Sequence, residues 1–192
     1  MSARTGWHVL AIAGSLRRGS LNRRLLEAAA SCAPAGASVR VFRGLERVPC
    51  FNEDGEAEAF VAGPVRELCD EVAAAGALLI STPEYNHSLP GVLKNAIDWL
   101  SRPLAGGVLA GKPVAVVGAS AGSWGTRLAQ AALRQVLFAT EAQVVTGPAL
   151  YLARADTAFD AEGQLTQASA RETLRQILQA LQRVQPAGET AL

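Results

Sequence analysis

Five short apolar segments rich in branched residues, at 9–13, 39–42, 77–81, 114–118 and 143–145, are spaced so that each gap admits a helix. Strands that alternate with helices need crossover connections, which places them parallel in one α/β sheet. The three central strands are apolar at successive positions rather than at every second one, so both faces of the sheet must be covered. The intervening segments supply that cover. Leu21, Leu25, Leu26 and Ala29 share a helical face behind Ser20, a cap position, and Val61, Val65, Leu68, Val72 and Ala75 share another. Leu93, Ala96, Ile97 and Leu100 form a stripe in a helix opened by Leu89 and Pro90. Leu174, Ile177, Leu178, Leu181 and Val184 form the stripe of a last helix, which Pro186 ends. The tail beyond 186 is expected to fray.

The helix expected over 126–139 differs from the others. Leu128, Ala132 and Val136 point one way while Ala129, Leu133 and Leu137 point another, so its apolar surface is wider than one sheet face needs. Such a helix is either deeply buried or shared with a second subunit. The acidic, irregular stretch 46–60 reads as a surface loop leading into a helix.

A chain of 192 residues that is 49% apolar, with no repeat and no linker, is expected to form a single domain over 1–192. Its net charge of +1 gives no bulk electrostatic case for nucleic acid or a membrane surface. No run approaches the ~18 apolar residues of a spanning helix, and the run at 9–14 is too short for a signal-peptide core. Cys32, Cys50 and Cys69 are too few and too far apart for a disulfide framework or paired zinc motifs. The expectation is a cytoplasmic protein without a metal.

Ligands of open parallel sheets bind beyond the carboxyl ends of the strands, which selects three loops. The first, Gly14-Ser15-Leu16-Arg17-Arg18-Gly19-Ser20-Leu21-Asn22, runs from a strand into a helix N-terminus. There backbone N–H groups and the helix dipole favour an anion, with Ser15, Ser20 and Asn22 as side-chain donors and Arg17 or Arg18 as a charged fork. No carboxylate precedes Glu27, whereas Arg4, Arg17, Arg18, Arg23 and Arg24 fall in that stretch. The loop matches neither a Walker A nor a dinucleotide G-x-G-x-x-G pattern, so a monophosphate is the better guess.

The second loop, Thr82-Pro83-Glu84-Tyr85-Asn86-His87-Ser88-Leu89-Pro90-Gly91, is stiffened by two prolines and carries an aromatic, an amide and a carboxylate, which suits a flat heteroaromatic ligand. The third spans Gly118 to Gly125. Its Gly118-Ala119-Ser120-Ala121-Gly122 fits G-x-S-x-G, the nucleophile elbow of serine hydrolases. That rival needs an acid and then a histidine after the serine, and no histidine follows His87. Glycines around Ser120 better suit backbone approaching the edge of a planar ligand.

With these loops the sequence resembles the NAD(P)H-dependent FMN reductase family, the flavodoxin-like group with bacterial quinone and chromate reductases. The carriers are the first loop through Arg23 and the segment from Thr82 through Leu93-Lys94-Asn95-Ala96-Ile97-Asp98-Trp99. The resemblance implies a flavodoxin-like three-layer sandwich with a five-stranded parallel sheet in order 2-1-3-4-5 and FMN at its carboxyl edge. It implies a phosphate site from Ser15, Arg17, Ser20, Leu21 and Asn22. Ring contacts would come from Pro83, Glu84, Tyr85 and Asn86, with Ser120 and Gly122 on the other side and Tyr85 and Arg102 near the substrate. It implies hydride transfer from NADPH or NADH to flavin, then electron transfer to a small acceptor such as a quinone, azo compound, chromate or free flavin. No side chain is expected to act as nucleophile or acid/base catalyst. A flavodoxin-type electron carrier is the alternative, though carriers of that kind are acidic. A homodimer is expected, with a tetramer as the further option. The departure of Leu128, Ala131 and Ala132 from polar family residues puts a polar network between dimers in doubt.

Overall fold

The computed structural model describes residues 7–184; Arg4 and the tail beyond 186 lie outside the described residues. The elements run β1 (Trp7–Ala13), α1 (Leu21–Ser31), β2 (Ala37–Val41), α2 (Glu56–Ala59), α3 (Pro64–Ala74), β3 (Ala77–Ser81), α4 (Gly91–Leu100), β4 (Pro113–Ala119), α5 (Arg127–Phe138), β5 (Gln143–Leu152) and α6 (Ala168–Arg183). The strands pair in parallel in the order β2-β1-β3-β4-β5, the order expected for a flavodoxin-like sheet.

Side-chain alternation divides the core into two layers. Leu10, Ile12, Leu78, Ile80, Val114 and Val116 pack under α3, α4 and α5. Val9, Ala11, Leu79 and Val117 turn the other way, under α1 and α6. Both sets are almost completely buried, which is why these strands read as continuous apolar runs. No helix among the described residues is long and apolar enough to cross a membrane.

Three local differences from the sequence expectation have physical causes. Strand β5 continues past 145 to Leu152 because its register with β4 breaks and resumes: Ala115 pairs with Val145, then Val117 with Leu150. Helix α3 begins at Pro64, behind Gly63 at φ 100°. Pro is favoured at a first helical position, so Val61 falls outside the helix and is 79% exposed. The stretch 46–60 is more than a surface loop. Phe51 and Phe60 meet the Trp99 ring edge-on at 4.9 and 5.8 Å, and Trp99 Nε1 and Asn95 Nδ2 both donate to the Pro49 carbonyl at 2.9 and 2.8 Å. The loop is thereby strapped along α4. Cys32, Cys50 and Cys69 are free; burial pushes the Cys69 thiol up to about 11, which keeps it protonated and inert.

Candidate cofactor site

The loops leaving β1, β3 and β4 converge at the carboxyl edge of the sheet around a cavity of about 240 Å³. Its lining comprises Ser15, Arg17, Ser20, Leu21 and Asn22 from the first loop, Pro83, Glu84 and Tyr85 from the second, and Ala119, Ser120 and Ala121 from the third. Nine sequence-predicted residues thus meet in one place. Asn86 and Gly122 adjoin the lining in the chain without belonging to it. Ala119 and Ala121 offer only backbone and a methyl group, so their residue type carried no signal. A larger hollow, about 490 Å³, lies on α3 beside Arg66, Glu67, Asp70 and Glu71. It shares no lining residue with the cavity between the three loops, and its charges pair with Arg47, Arg40 and one another.

In the first loop Ser20 is the N-cap of α1, its Oγ accepting from Arg23 N at 3.2 Å. The amides of Leu21 and Asn22, at the head of the helix, have no carbonyl one turn earlier to bond. The first turn holds no acid. Arg17 Nη2 donates to the Gly19 carbonyl at 3.0 Å, folding the exposed guanidinium back over the loop. The Asn22 side chain is committed differently from the sequence reading. Its Nδ2 donates to the Ala119 carbonyl at 2.9 Å, and its Oδ1 accepts from Ala119 N at 2.9 Å and Ser81 Oγ at 2.7 Å. Asn22 therefore ties the start of α1 to the ends of β3 and β4, and its backbone amide is what it offers an anion.

The second loop doubles back in a two-residue turn. Tyr85 and Ser88 exchange two backbone hydrogen bonds of 3.0 Å, with Asn86 at φ 50° and His87 at φ 63°. Such turns need left-handed backbone at both central residues, which Asn accepts more readily than most residues. The turn leaves Tyr85 at the mouth, 53% exposed. Glu84 points its carboxylate across to α5, where Oε2 accepts from Leu128 N at 2.9 Å and Ala129 N at 3.1 Å.

The third loop is fastened to the far end of β5: Ser120 N donates to the Leu152 carbonyl at 2.9 Å, Ala155 N to the Ser120 carbonyl and Arg154 N to the Gly122 carbonyl, both at 3.0 Å. Ser120 Oγ accepts from Gly122 N at 3.1 Å, a bond internal to the loop. His8 instead bonds Ser38, and His87 Nδ1 lies 3.6 Å from Glu84 Oε1. The elbow-like motif therefore has no histidine bonded to its serine.

Residues 7–157 match the family model described as NADPH-dependent FMN reductase. The chain belongs to that family. An NAD(P)H-dependent FMN reductase of Pseudomonas aeruginosa is 45% identical over 174 residues, 91% of this chain and 92% of that protein. A 2-hydroxy-1,4-benzoquinone reductase of Burkholderia is 38% identical over 167 residues, 87% and 90% of the two chains. The solved structure of FerB, a flavoenzyme NAD(P)H:(acceptor) oxidoreductase from Paracoccus denitrificans, superposes with a TM-score of 0.83 at 31% identity, covering 92% of this chain and 98% of that one.

The chain is an FMN-dependent oxidoreductase that uses NAD(P)H, and its own donor set fits the cofactor. A phosphate monoester needs several donors and no competing carboxylate, which the first loop provides. A flat ring needs two walls and an edge, and segments of two different loops, Pro83 to Tyr85 and Ala119 to Ala121, line this same cavity. The structure does not bring Arg102 to this cavity. It follows the C-terminal end of α4, a helix about 15 Å long whose other end starts behind the Tyr85 loop. There Nε donates to Glu56 Oε1 at 3.0 Å, Nη2 to Glu53 Oε1 at 3.3 Å, and the guanidinium lies 5.3 Å from the Phe51 ring centre. Those partners give it a structural task, holding the 46–60 stretch against α4.

Helix α5 matches the expectation of two apolar faces only in part: of Leu128, Ala132 and Val136, Val136 packs against the core and Leu128 alone is exposed. Ala129, Leu133 and Leu137 are buried in the core, whereas Leu128 is 51% exposed and Phe138 81%, with Trp124 at 77% in the preceding loop. Arg127 packs on the Tyr151 ring, 4.4 Å from its centre.

Proposed function

We propose that the protein reduces quinones at the expense of NAD(P)H, with the FMN phosphate held by Ser15, Arg17, Ser20 and the amides of Leu21 and Asn22, and the ring beside Pro83 to Asn86 and Ser120 to Gly122. The observation that carries this reading is the meeting of an acid-free helix N-terminus with a stiff loop bearing an exposed tyrosine in one cavity at the carboxyl edge of the sheet. The named activity of the Burkholderia relative makes 1,4-benzoquinones the first acceptors to try. When bound, FMN supplies the redox chemistry, accepting hydride from NAD(P)H and passing two electrons to the acceptor. The chain binds and orients. Ser15 and Ser20 are buried, with the Ser20 hydroxyl held by the Arg23 amide, and Arg17 adds a cation to the lining. Tyr85 N–H is committed to Ser88, so the N–H groups of Glu84 and Asn86 are the ones left to face the electron-rich edge of the ring. Tyr85 itself borders the open side, where nicotinamide and acceptor would enter in turn. The exposed, unbridged Cys50 suits a reducing compartment, and we place the protein in the cytoplasm.

The test is the visible spectrum. Protein reconstituted with FMN is expected to be yellow, to bleach with NADPH or NADH in the absence of oxygen, and to recover colour on addition of 1,4-benzoquinone. Arg17→Ala should give the same far-ultraviolet circular dichroism with FMN held about tenfold more weakly or worse, since a charge-assisted phosphate contact is lost. Failure of wild-type protein to retain FMN would overturn the reading, and unchanged retention by Arg17→Ala would remove that residue from the phosphate site.

The exposed large apolar side chains Trp124, Leu128 and Phe138, before and along α5, support a homodimer rather than a tetramer with a polar interface. Sedimentation is expected to give a dimer for the wild type and a monomer for Leu128→Glu; a wild-type monomer at micromolar concentration would count against this surface.

A further inference from the structure

Helix α5 lacks a cap of its own. Its N-cap residue, Thr126, makes no side-chain bond to the helix amides; the Thr126 hydroxyl is buried and accepts from Gln130 Nε2 at 3.1 Å. The missing acceptor comes from a residue 44 positions earlier in the chain, Glu84, whose Oε2 takes the Leu128 and Ala129 amides together. A carboxylate at this place answers both the orphan donors and the positive end of the helix dipole. Glu84 is also the residue between Pro83, which lines the cavity, and the Tyr85–Ser88 turn, whose two central residues are held in left-handed backbone. Left-handed backbone is uncommon for any residue other than glycine, even for Asn and His, and two such residues in succession persist only where the surroundings determine them. The side chain that fixes the base of that turn to the rest of the fold is Glu84.

We propose that Glu84 is a positioning residue for the cofactor: by capping α5 from the β3 loop it sets the spacing between the Pro83–Tyr85 wall and the Ala119–Ala121 wall, and thereby how tightly FMN is held. The family resemblance implies Glu84 as a ring contact. The structure gives its carboxylate to α5, leaving only its backbone toward the ring. The second wall precedes α5 directly through the loop 120–126, so a tether at the first turn of α5 acts on both walls at once. This inference rests on the FMN site proposed above.

The experiment compares FMN dissociation constants of apoprotein, read from quenching of flavin fluorescence, for wild type, Glu84→Ala, Glu84→Gln and Leu133→Val. Leu133 lies on the buried face of α5 away from the cavity, so Leu133→Val weakens the helix without touching its cap. Glu84→Ala should raise the dissociation constant about tenfold or more. Glu84→Gln keeps an acceptor oxygen at the same reach and should recover most of the affinity, within about threefold of wild type. Leu133→Val should lower the melting temperature of the apoprotein while leaving FMN affinity within about twofold. The visible band of bound FMN in Glu84→Ala should also lose fine structure relative to wild type, a sign of looser walls. If wild type binds FMN and Glu84→Ala binds it equally well, the inference fails while the site stands. If Leu133→Val loses as much affinity as Glu84→Ala, Glu84 merely stabilises α5 and the positioning role is overturned. If wild type does not bind FMN, the site itself is wrong.

Discussion

Gly118→Ala is expected to lower the melting temperature by roughly 6–12 °C, the largest loss from any single methyl group near the site. A Cβ at this position would overlap the Thr126 hydroxyl and lie 2.6 Å from the Thr82 carbonyl oxygen. Neither neighbour is free to retreat. The Thr126 side chain is buried and accepts from Gln130, and Thr82 N is bound to the Val117 carbonyl at 3.0 Å as the next rung after β3. Overpacking against backbone costs on the order of 3 kcal/mol, which for a chain of this size gives the stated shift. The G-x-S-x-G motif contains its own control. At Gly122 an added Cβ would meet only Ser120 Oγ, at 3.4 Å, an ordinary contact. Gly122→Ala should therefore melt within about 2 °C of wild type. Differential scanning calorimetry of the two apoproteins decides it; equal melting temperatures would show that the end of β4 can relax. The first glycine of the motif thus answers to packing between β4 and α5 rather than to a ligand or a nucleophile.

The distinction between those two glycines marks what could be read from the sequence. Strands β1, β3 and β4 were legible because each is buried on both faces, so every position had to be apolar. The start of α1 was legible because Ser20 caps it locally, through the amide three residues on. Strand β5 runs past its apolar segment at 143–145 because Gly147 and Pro148 interrupt the apolar pattern at the register break. The 46–60 stretch reads as surface because Phe51 and Phe60 are isolated among acidic residues, and their common partner, Trp99, lies 48 and 39 residues on. The cavity was legible as three loops because strand order dictates which ends meet. What each polar side chain does there was not. Asn22, Glu84 and Arg102 were all read as facing a ligand, yet each makes its bonds to chain segments far away in sequence: Asn22 to Ala119, Glu84 to Leu128, Arg102 to Glu56. Such pairings have no local spacing and become visible only when the fold has brought the partners together.

Asn22 leads to the second large effect. Asn22→Ala removes three hydrogen bonds in a fully buried setting, leaving the Ala119 N–H, the Ala119 carbonyl and the Ser81 hydroxyl without partners. Burying such groups unpaired costs about 1–3 kcal/mol each before relaxation, so a net loss of about 3 kcal/mol and roughly 6–12 °C is expected. Aspartate should not rescue it. The orientation of the Asn22 amide is forced, because Ala119 N can only donate and the Ala119 carbonyl can only accept. Asn22→Asp would keep the acceptor for Ala119 N and Ser81 but turn a second oxygen toward the Ala119 carbonyl, and it would set a negative charge beside the amides that receive the phosphate. The two variants should therefore lose similar stability but separate in binding. Asn22→Asp should hold FMN about tenfold more weakly than Asn22→Ala, because charge repulsion falls on the anion and not on the fold. Melting curves of the apoproteins with FMN titrations at low salt give both numbers. Parallel losses in stability and affinity for the two variants would mean that Asn22 acts on the cofactor only through the packing of α1, whereas the expected split places the head of α1 against the phosphate itself.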